Sequence, residues 1–235
     1  MSRTARWLLA ALAIGTAAPA AELVNLGFDT PPGWTLPAAW AVADGELRAT
    51  VSASHARLLV PETAGLVNQT VRVTIRQIDG QVSQLRAGLI FRAPDADNGY
   101  FVLIRGDGAY WLGKLVGGKP IPTLTGFVGA VRTSGPNTIT VVCEGERQSI
   151  SLNDTRLLSR SDPAYAYGGV GLWAEGTGTA AFDGLCIADD SPEPPRVDTA
   201  PAATTVPRVA EVPGGEPPRP AAPVLDPTLP EPTER

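Results

Sequence analysis

The sequence predicts an all-β protein, built as a two-sheet antiparallel β-sandwich. Residues 70–76, TVRVTIR, alternate strictly between polar and apolar side chains, which is the period of a strand with one buried face. Many short strand-like segments are separated by Gly, Asn and Asp turns. After the first 20 residues, no window sustains apolar residues at helical spacing. These three observations favour a sandwich or barrel over a parallel α/β fold.

Residues 1–20 are predicted to be a secretory signal peptide. Arg3 and Arg6 supply a positive start, residues 7–14 an apolar core, and Ala18-Pro19-Ala20 a small-residue cleavage site. The apolar run is too short for a permanent membrane anchor, and no later segment is long enough. We therefore expect a secreted or periplasmic protein with no transmembrane anchor after signal cleavage.

The domain itself is predicted to span residues 21–188. Trp34 and Trp40, in a proline-rich stretch near its start, are expected to plug the edge of the sandwich. Within residues 86–114, the turns 94–99 (PDADNG) and 106–108 (GDG) separate apolar and aromatic runs, which is typical of an antiparallel meander. The predicted strands are residues 46–52, 70–78, 88–92, 100–105, 110–114, 138–144, 148–152, 169–174 and 180–187.

Residues 189–235 are predicted to form a disordered, acidic, proline-rich tail. They contain 13 of the 23 prolines, 9 acidic residues, 4 arginines and no aromatic residue. Such a composition cannot bury enough apolar surface to offset the entropy of ordering. The tail could be a semi-rigid spacer, a polyproline-type ligand for a protein partner, or an unconstrained end.

The charge of the domain is close to balance, with 13 basic and 15 acidic residues between Glu22 and Ala188. The arginines are scattered singly, so the sequence lacks the basic stripe of a nucleic-acid-binding protein. Only two lysines occur in the whole chain. Nothing indicates adhesion to anionic membranes either.

Three groups of motifs, in this order along the chain, resemble the strands of concanavalin A-like jelly rolls. The first is GLIFR (88–92), DNGY (97–100) and RGDGAY (105–110); the second is NTITVVCEG (137–145) and SISLND (149–154); the third is GVGLW (169–173) and AFDGL (181–185). The resemblance implies the laminin G-like and 3-keto-disaccharide hydrolase (glycoside hydrolase 16-like) branch. Many members are exported, non-catalytic modules that bind sugars. The sequence departs from the family at Asp154, where a turn glycine is usual, although Asp tolerates the same conformation.

Catalysis is the alternative that the resemblance leaves open. Family 16 glycosidases carry alternating carboxylates on one strand, as E-x-D-x-x-E, and the nearest match here is Glu144-Gly145-Glu146 at a predicted turn. His55, the single histidine, has no accompanying nucleophile motif and no partners for a zinc site. A glycoside hydrolase of the 3-keto-disaccharide hydrolase type would draw its acids from Asp95, Asp97, Asp107, Asp183 or Glu175.

No cofactor is expected, apart from a possible Ca²⁺ ion. Asp95, Asp97 and Asn98 cluster on a meander loop with oxygen ligands that suit Ca²⁺, but the same residues are favoured in tight turns. Arg105-Gly106-Asp107 spells an integrin-recognition tripeptide, which a hairpin turn also explains.

The aromatic and arginine residues are the best candidates for binding a ligand. Flat rings pack against sugar C–H surfaces, and Arg donates to hydroxyls. Because side chains alternate, at most half of these residues can share one face. The predicted ligand-binding residues are Arg92, Tyr100, Arg105, Tyr110, Trp111 and Trp173.

Cys143 and Cys186 are the only cysteines. An even count in an exported protein predicts a disulfide between them, with two free thiols on different faces as the alternative. Together, these features favour an exported, non-catalytic module that binds a glycan or another envelope or extracellular polymer. The alternatives are a glycoside hydrolase and a structural or protein-interaction module that acts through the tail.

Overall fold

The computed structural model describes residues 21–133 and 135–189, and every regular element in these ranges is a β-strand. The predicted all-β class is therefore confirmed. None of the described residues forms a helix that is long and apolar enough to cross a membrane. The predicted signal peptide and nearly all of the predicted tail lie outside the described residues.

Twelve strands follow one another along the chain. They are β1 (Ala21–Leu26), β2 (Trp40–Ala43), β3 (Glu46–Leu59), β4 (Gln69–Asp79), β5 (Leu85–Asp95), β6 (Asn98–Arg105), β7 (Ala109–Val116), β8 (Lys119–Phe127), β9 (Asn137–Glu144), β10 (Arg147–Leu152), β11 (Thr155–Ser161) and β12 (Gly169–Asp189). The last strand ends one residue beyond the predicted domain boundary.

All pairings between the strands are antiparallel, and they form one continuous sheet that folds over to make two layers. Its order is β11-β10-β9-β4-β12-β5-β6-β7-β8, while β1 and β3 also pair with β12, and β2 pairs with β3. The first half of β12 pairs with β5, and its second half pairs with β4. The 21-residue strand β12 thus connects the two layers of the jelly roll.

The bend in β12 lies at Gly176 and Gly178, which have φ angles of 111° and 135°. A Cβ atom at Gly178 would approach the Asp79 carbonyl oxygen to 2.7 Å, so a larger residue would push β4 away. The sequence predicted two separate strands here, at residues 169–174 and 180–187. They are one strand, because glycine lets the backbone change layer through a shift in register.

The core lies between the two layers. The alternation in residues 70–76 places Val71, Val73 and Ile75 in it, as predicted. The strands that the sequence did not predict are β1, β2, β8 and β11. Of these, β8 contains Pro120 and Pro122 and is an outermost strand in the sheet order, the position where prolines are tolerated.

The two cysteines do not form the predicted disulfide, and both are free. Cys143 on β9 is buried in the core, whereas Cys186 on β12 is partly exposed. Strand β4 lies between them, pairing Gln69 with Cys143 and Arg72 with Cys186. Two strand spacings, or about 10 Å, exceed the roughly 7 Å that a disulfide can bridge between Cα atoms.

Candidate functional site

The candidate site is the face of the β3–β12–β5–β6–β7 layer that points away from the core, called here the outer face. Cross-strand register places Arg57 opposite Trp173, Trp173 opposite Gly88, Gly88 opposite Leu103, and Leu103 opposite Trp111. These side chains come from five strands and form one row. Directly paired residues share a face, so the outer face carries two tryptophans and an arginine in line.

A second apolar cluster forms the floor of the outer face. It is separate from the core and consists of Ile90, Ala93, Phe101, Leu103, Leu115 and Trp173, with Leu59 and Trp111 packed against it. Phe101 meets Trp173 edge to face, with ring centroids 5.3 Å apart. These six side chains are at most 3% exposed, so other parts of the outer face cover them.

Arg86, Arg105 and Trp111 form what we call the arginine–tryptophan cluster. The guanidinium carbons of Arg86 and Arg105 lie 4.8 and 5.2 Å from the centre of the Trp111 ring, within cation–π range. Trp111 is partly exposed. The ring is therefore held in place by two cations and still presents surface to solvent.

Each arginine of the cluster is anchored by a carboxylate. Arg86 donates to Glu175 at 2.7 Å, and Arg105 donates to both oxygens of Asp107 at 2.9 and 2.7 Å. The hydrogen bond from Arg105 lowers the pKa of Asp107, so this carboxylate stays ionised. The tripeptide Arg105-Gly106-Asp107 is thus closed on itself within the β6–β7 turn.

Arg57 covers the other tryptophan. Its guanidinium carbon lies 4.5 Å above the Trp173 ring, and its Nη2 donates to the Gly118 carbonyl at 2.9 Å. The turns before β6 and β8 fold over the outer face here, since Gly118 also donates its N–H to the Asp97 carbonyl at 2.8 Å. Burial lowers the pKa of Arg57, and the nearby Asp97 opposes that shift.

The predicted ligand-binding residues divide between the two faces. Arg105 and Trp111 share the outer face and are partly exposed. Trp173 is on the same face but only 1% exposed, beneath Arg57. Tyr110 precedes Trp111 on β7 and therefore points the other way, where it packs against the core.

Arg92 is fully buried and holds loops together. Its guanidinium donates to the carbonyls of Val67, Gly145 and Tyr165, and its backbone N–H donates to Gln69. All of these partners belong to the protein itself, and none of the Arg92 side chain reaches solvent. Arg92 therefore does not belong to a ligand-facing set.

Tyr100 is also buried, in a polar network at one end of the core. Its hydroxyl donates to the carboxylate of Asp162 at 2.8 Å and accepts the N–H of Tyr165 at 3.2 Å. Lys114 pairs with the same carboxylate at 2.9 Å. Burial, reinforced by Asp162, raises the pKa of Tyr100 to about 12. This network fastens the segment after β11 to β6 and β7.

The loop with the predicted calcium ligands makes a turn that satisfies its own polar groups. The Asp95 carboxylate accepts a hydrogen bond from the Asp97 N–H at 2.8 Å. The side-chain amide of Asn98 donates to both oxygens of the same carboxylate, at 2.9 and 3.0 Å. Asn98 in turn accepts the Gly117 N–H. Among the described residues, no three His, Cys, Asp or Glu side chains are grouped to hold a metal.

The five acids considered for a hydrolase lie in different parts of the fold. Asp95 ends β5 and Asp97 lies in the turn before β6, while Asp107 follows the end of β6. Asp183 lies in the second half of β12, opposite Thr74 of β4. Glu175 is on the outer face, where it is paired with Arg86 and lies opposite His55.

The sequence interpretation missed Arg57 and Arg86 as parts of the site. Both are single arginines in strands and match no motif. Only the cross-strand register brings them next to Trp173 and Trp111, and register depends on bends and bulges that alternation does not reveal.

Comparisons with known proteins identify the fold and no family. No protein-family profile matches the chain, and no curated protein matches it either. The assignment to the laminin G-like and 3-keto-disaccharide hydrolase branch therefore stays a prediction, while the jelly-roll fold is shared with solved structures.

Three such structures are informative. Carbohydrate-binding module CBM66 from Bacillus subtilis is 20% identical, with a TM-score of 0.56 over 63% of this chain and 90% of that one. The metal-free carbohydrate recognition domain of Emp46p is 13% identical, with a TM-score of 0.54 over 73% and 97%. A β-glucanase from Bacillus licheniformis is 10% identical, with a TM-score of 0.50 over 73% and 99%. At these identities the likeness shows the fold alone.

Proposed function

We propose that this protein is an exported, non-catalytic carbohydrate-binding module whose glycan lies on the outer face against Trp111. One observation carries the proposal: a partly exposed tryptophan is held between two arginines above an apolar floor. Indole rings pack against the C–H surface of sugar rings, and guanidinium groups donate to hydroxyls.

The cluster is suited to binding because its geometry is set before a ligand arrives. Arg86 and Arg105 are each held by a carboxylate, so ordering them costs little on binding. In the ion pair of Arg86, Nη2 donates to Glu175, which leaves other N–H groups of the same guanidinium for ligand hydroxyls. The fold of the chain, which known carbohydrate-binding modules share, is consistent with this use.

The carboxylates beside Trp111 support a binding role over hydrolysis. Retaining glycosidases need two carboxyl groups about 5 Å apart, and inverting ones about 6.5–9.5 Å, with one of the two free to donate a proton. Glu175 is instead paired with Arg86, and Asp107 with Arg105, whose hydrogen bond lowers the pKa of the Asp107 carboxyl. Both carboxylates anchor the arginines of the cluster.

Export belongs to the same proposal and rests on the predicted signal peptide at residues 1–20. A glycan of the cell envelope or of the surroundings is then the ligand that the module would meet. The proline-rich residues 189–235 would link the domain to a protein partner or act as a spacer.

A glycan array with the full chain and the Trp111→Ala variant tests the proposal. We expect wild-type protein to bind at least one glycan class and Trp111→Ala to bind at least about tenfold more weakly, a loss of about 1.4 kcal/mol. Tyr167→Ala is the matched control, because Tyr167 is a 57% exposed aromatic side chain in the segment between β11 and β12.

Two results would contradict the proposal. Equal binding by Trp111→Ala and wild type would show that the glycan does not bind against Trp111 on the outer face. Turnover of a chromogenic or 3-keto glycoside by wild type would show that the protein is an enzyme.

A further inference from the structure

The outer face has a cleft beside Arg57 of β3. The arginine–tryptophan cluster lies at the other end of the same register row, on β7. The cleft has a volume of about 350 Å³, within the range of small-ligand sites. It is lined by Pro37, Ala39, Trp40, His55, Ala56, Arg57, Ala96 and Asp97. The lining comes from the start of β2 and the segment before it, from strand β3, and from the turn between β5 and β6.

Buried donors without a hydrogen-bond partner among the described residues belong to two of the residues that line this cleft. They are the indole Nε1 of Trp40 and the Nε of Arg57. Trp40 is 4% exposed, and it packs on Phe182 with ring centroids 5.4 Å apart. A buried donor without an acceptor is costly, so a molecule in the cleft that supplied an acceptor oxygen would offset that cost.

The charges around the cleft restrict the kind of molecule. The guanidinium of Arg57 and the carboxylate of Asp97 lie 3.9 Å apart, so they balance each other. An anionic ligand would meet the Asp97 carboxylate, which is well exposed. Hydroxyl groups suit the lining better, because each one can donate to Asp97 and accept from Trp40, Arg57 or His55.

The position of the cleft relates it to the cluster around Trp111. Arg57 and Trp111 lie in the same register row, with β12, β5 and β6 between their strands. Four strand spacings separate them by about 19 Å along the sheet. A short oligosaccharide could contact one of the two places, whereas a polymer that crosses the strands could contact both.

We propose that this cleft is a second binding site on the outer face, which takes a neutral sugar unit of the same extended glycan chain that packs on Trp111. The inference rests on the proposed function and adds to it. The ligand is a neutral polysaccharide bound along its length, and its affinity increases when the chain is long enough to contact both sites.

Nuclear magnetic resonance of the indole N–H groups tests the inference on the full chain. With ¹⁵N-labelled tryptophan, the signals of Trp40 and Trp111 are assigned from Trp40→Phe and Trp111→Phe. Probes are cello-, xylo- and galacto-oligosaccharides, from disaccharide to hexasaccharide, and oligogalacturonides of the same lengths as acidic counterparts. We expect short neutral oligomers to shift the Trp111 signal, and longer ones to shift both.

Asp97→Asn and His55→Ala provide the variant arm. Asp97 and His55 are both exposed, so the fold should be kept. We expect Asp97→Asn to reduce the affinity for the long neutral oligomer about tenfold, and the affinity for the disaccharide hardly at all, because only the long chain reaches the cleft. Glu146→Gln is the control, since Glu146 is an exposed carboxylate in the turn between β9 and β10.

The outcomes separate this inference from the proposed function. Every oligomer could shift the Trp111 signal while the Trp40 signal stays unchanged and Asp97→Asn binds like wild type. That result would contradict the second binding site and leave the proposed function standing. A larger Trp40 shift with oligogalacturonides than with neutral oligomers would overturn the ligand class. If no oligomer shifts either signal, both proposals fail.

Discussion

The β5–β6–β7 part of the fold has two faces with similar residue types and different uses for them. On the inner face, Arg92 and Tyr100 are completely surrounded by protein and bond to its own loops. On the outer face, Arg105 and Trp111 are partly exposed, and Arg105 pairs with a side chain two residues away. The guanidinium of Arg92 is used up inside the fold, whereas Arg105, which donates to Asp107 and to the Ser83 carbonyl, stays partly exposed.

Replacing Arg92 should give the largest effect on stability. In Arg92→Met, the carbonyls of Val67, Gly145 and Tyr165 lose a charged donor that is itself fully buried. We expect the free energy of unfolding to fall by about 3–5 kcal/mol. The same change on the outer face, Arg86→Met, removes a partly exposed ion pair and should cost less than about 1 kcal/mol. Urea denaturation of both variants measures the two losses in the free energy of unfolding. Equal losses would contradict the difference between the inner and outer faces.

Arg92 also shows where sequence reasoning fails. Ile90 belongs to the outer cluster and Phe91 to the core, so strict alternation would put Arg92 on the outer face. Its φ of 48° and the register shift between Phe91 and Asp95 end the alternation, and the side chain turns inward. Alternation is a reliable guide inside a regular strand such as residues 70–76, but a bulge reverses it.

The candidate site could be predicted only in part, for the same reason. Tyr110 and Trp111 are neighbours in sequence, so the sequence shows that they point to opposite faces, but it does not show which one points outward. That choice depends on the pairing of β7 with β6, where Trp111 lies opposite Leu103. The turn at Asp95 to Asn98 could be predicted from the sequence, because its hydrogen bonds join residues that are close along the chain.

Tyr100→Phe should give the next largest effect and should depend on pH. It removes a hydroxyl with partners in Asp162 and Tyr165, which should cost about 1–3 kcal/mol at neutral pH. Burial raises the pKa of Tyr100 from its ordinary value of 10.0 to about 12, so folding favours the protonated phenol. This contribution is fully present below pH 10 and is lost between pH 10 and 12.

The measurement for Tyr100 is the stability difference between wild type and Tyr100→Phe over that pH range. The other titrating groups are the same in both proteins, so the difference isolates Tyr100. We expect it to shrink as the pH rises from 10 to 12. A constant difference would mean that the hydroxyl is not held as the structure shows.

The smallest effect on stability is expected from Cys186, and it extends the comparison to the other layer of the sandwich. Cys143 faces the core and Cys186 is partly exposed, so Cys186→Ser should change the free energy of unfolding by less than about 0.5 kcal/mol.

Burial raises the pKa of the Cys143 thiol to about 11, which leaves little thiolate to react. In native protein a thiol reagent should therefore label Cys186 first, and Cys143 only after unfolding. If denaturation without a reductant released no free thiol, the two residues would be bonded, and the register that places β4 between them would be wrong.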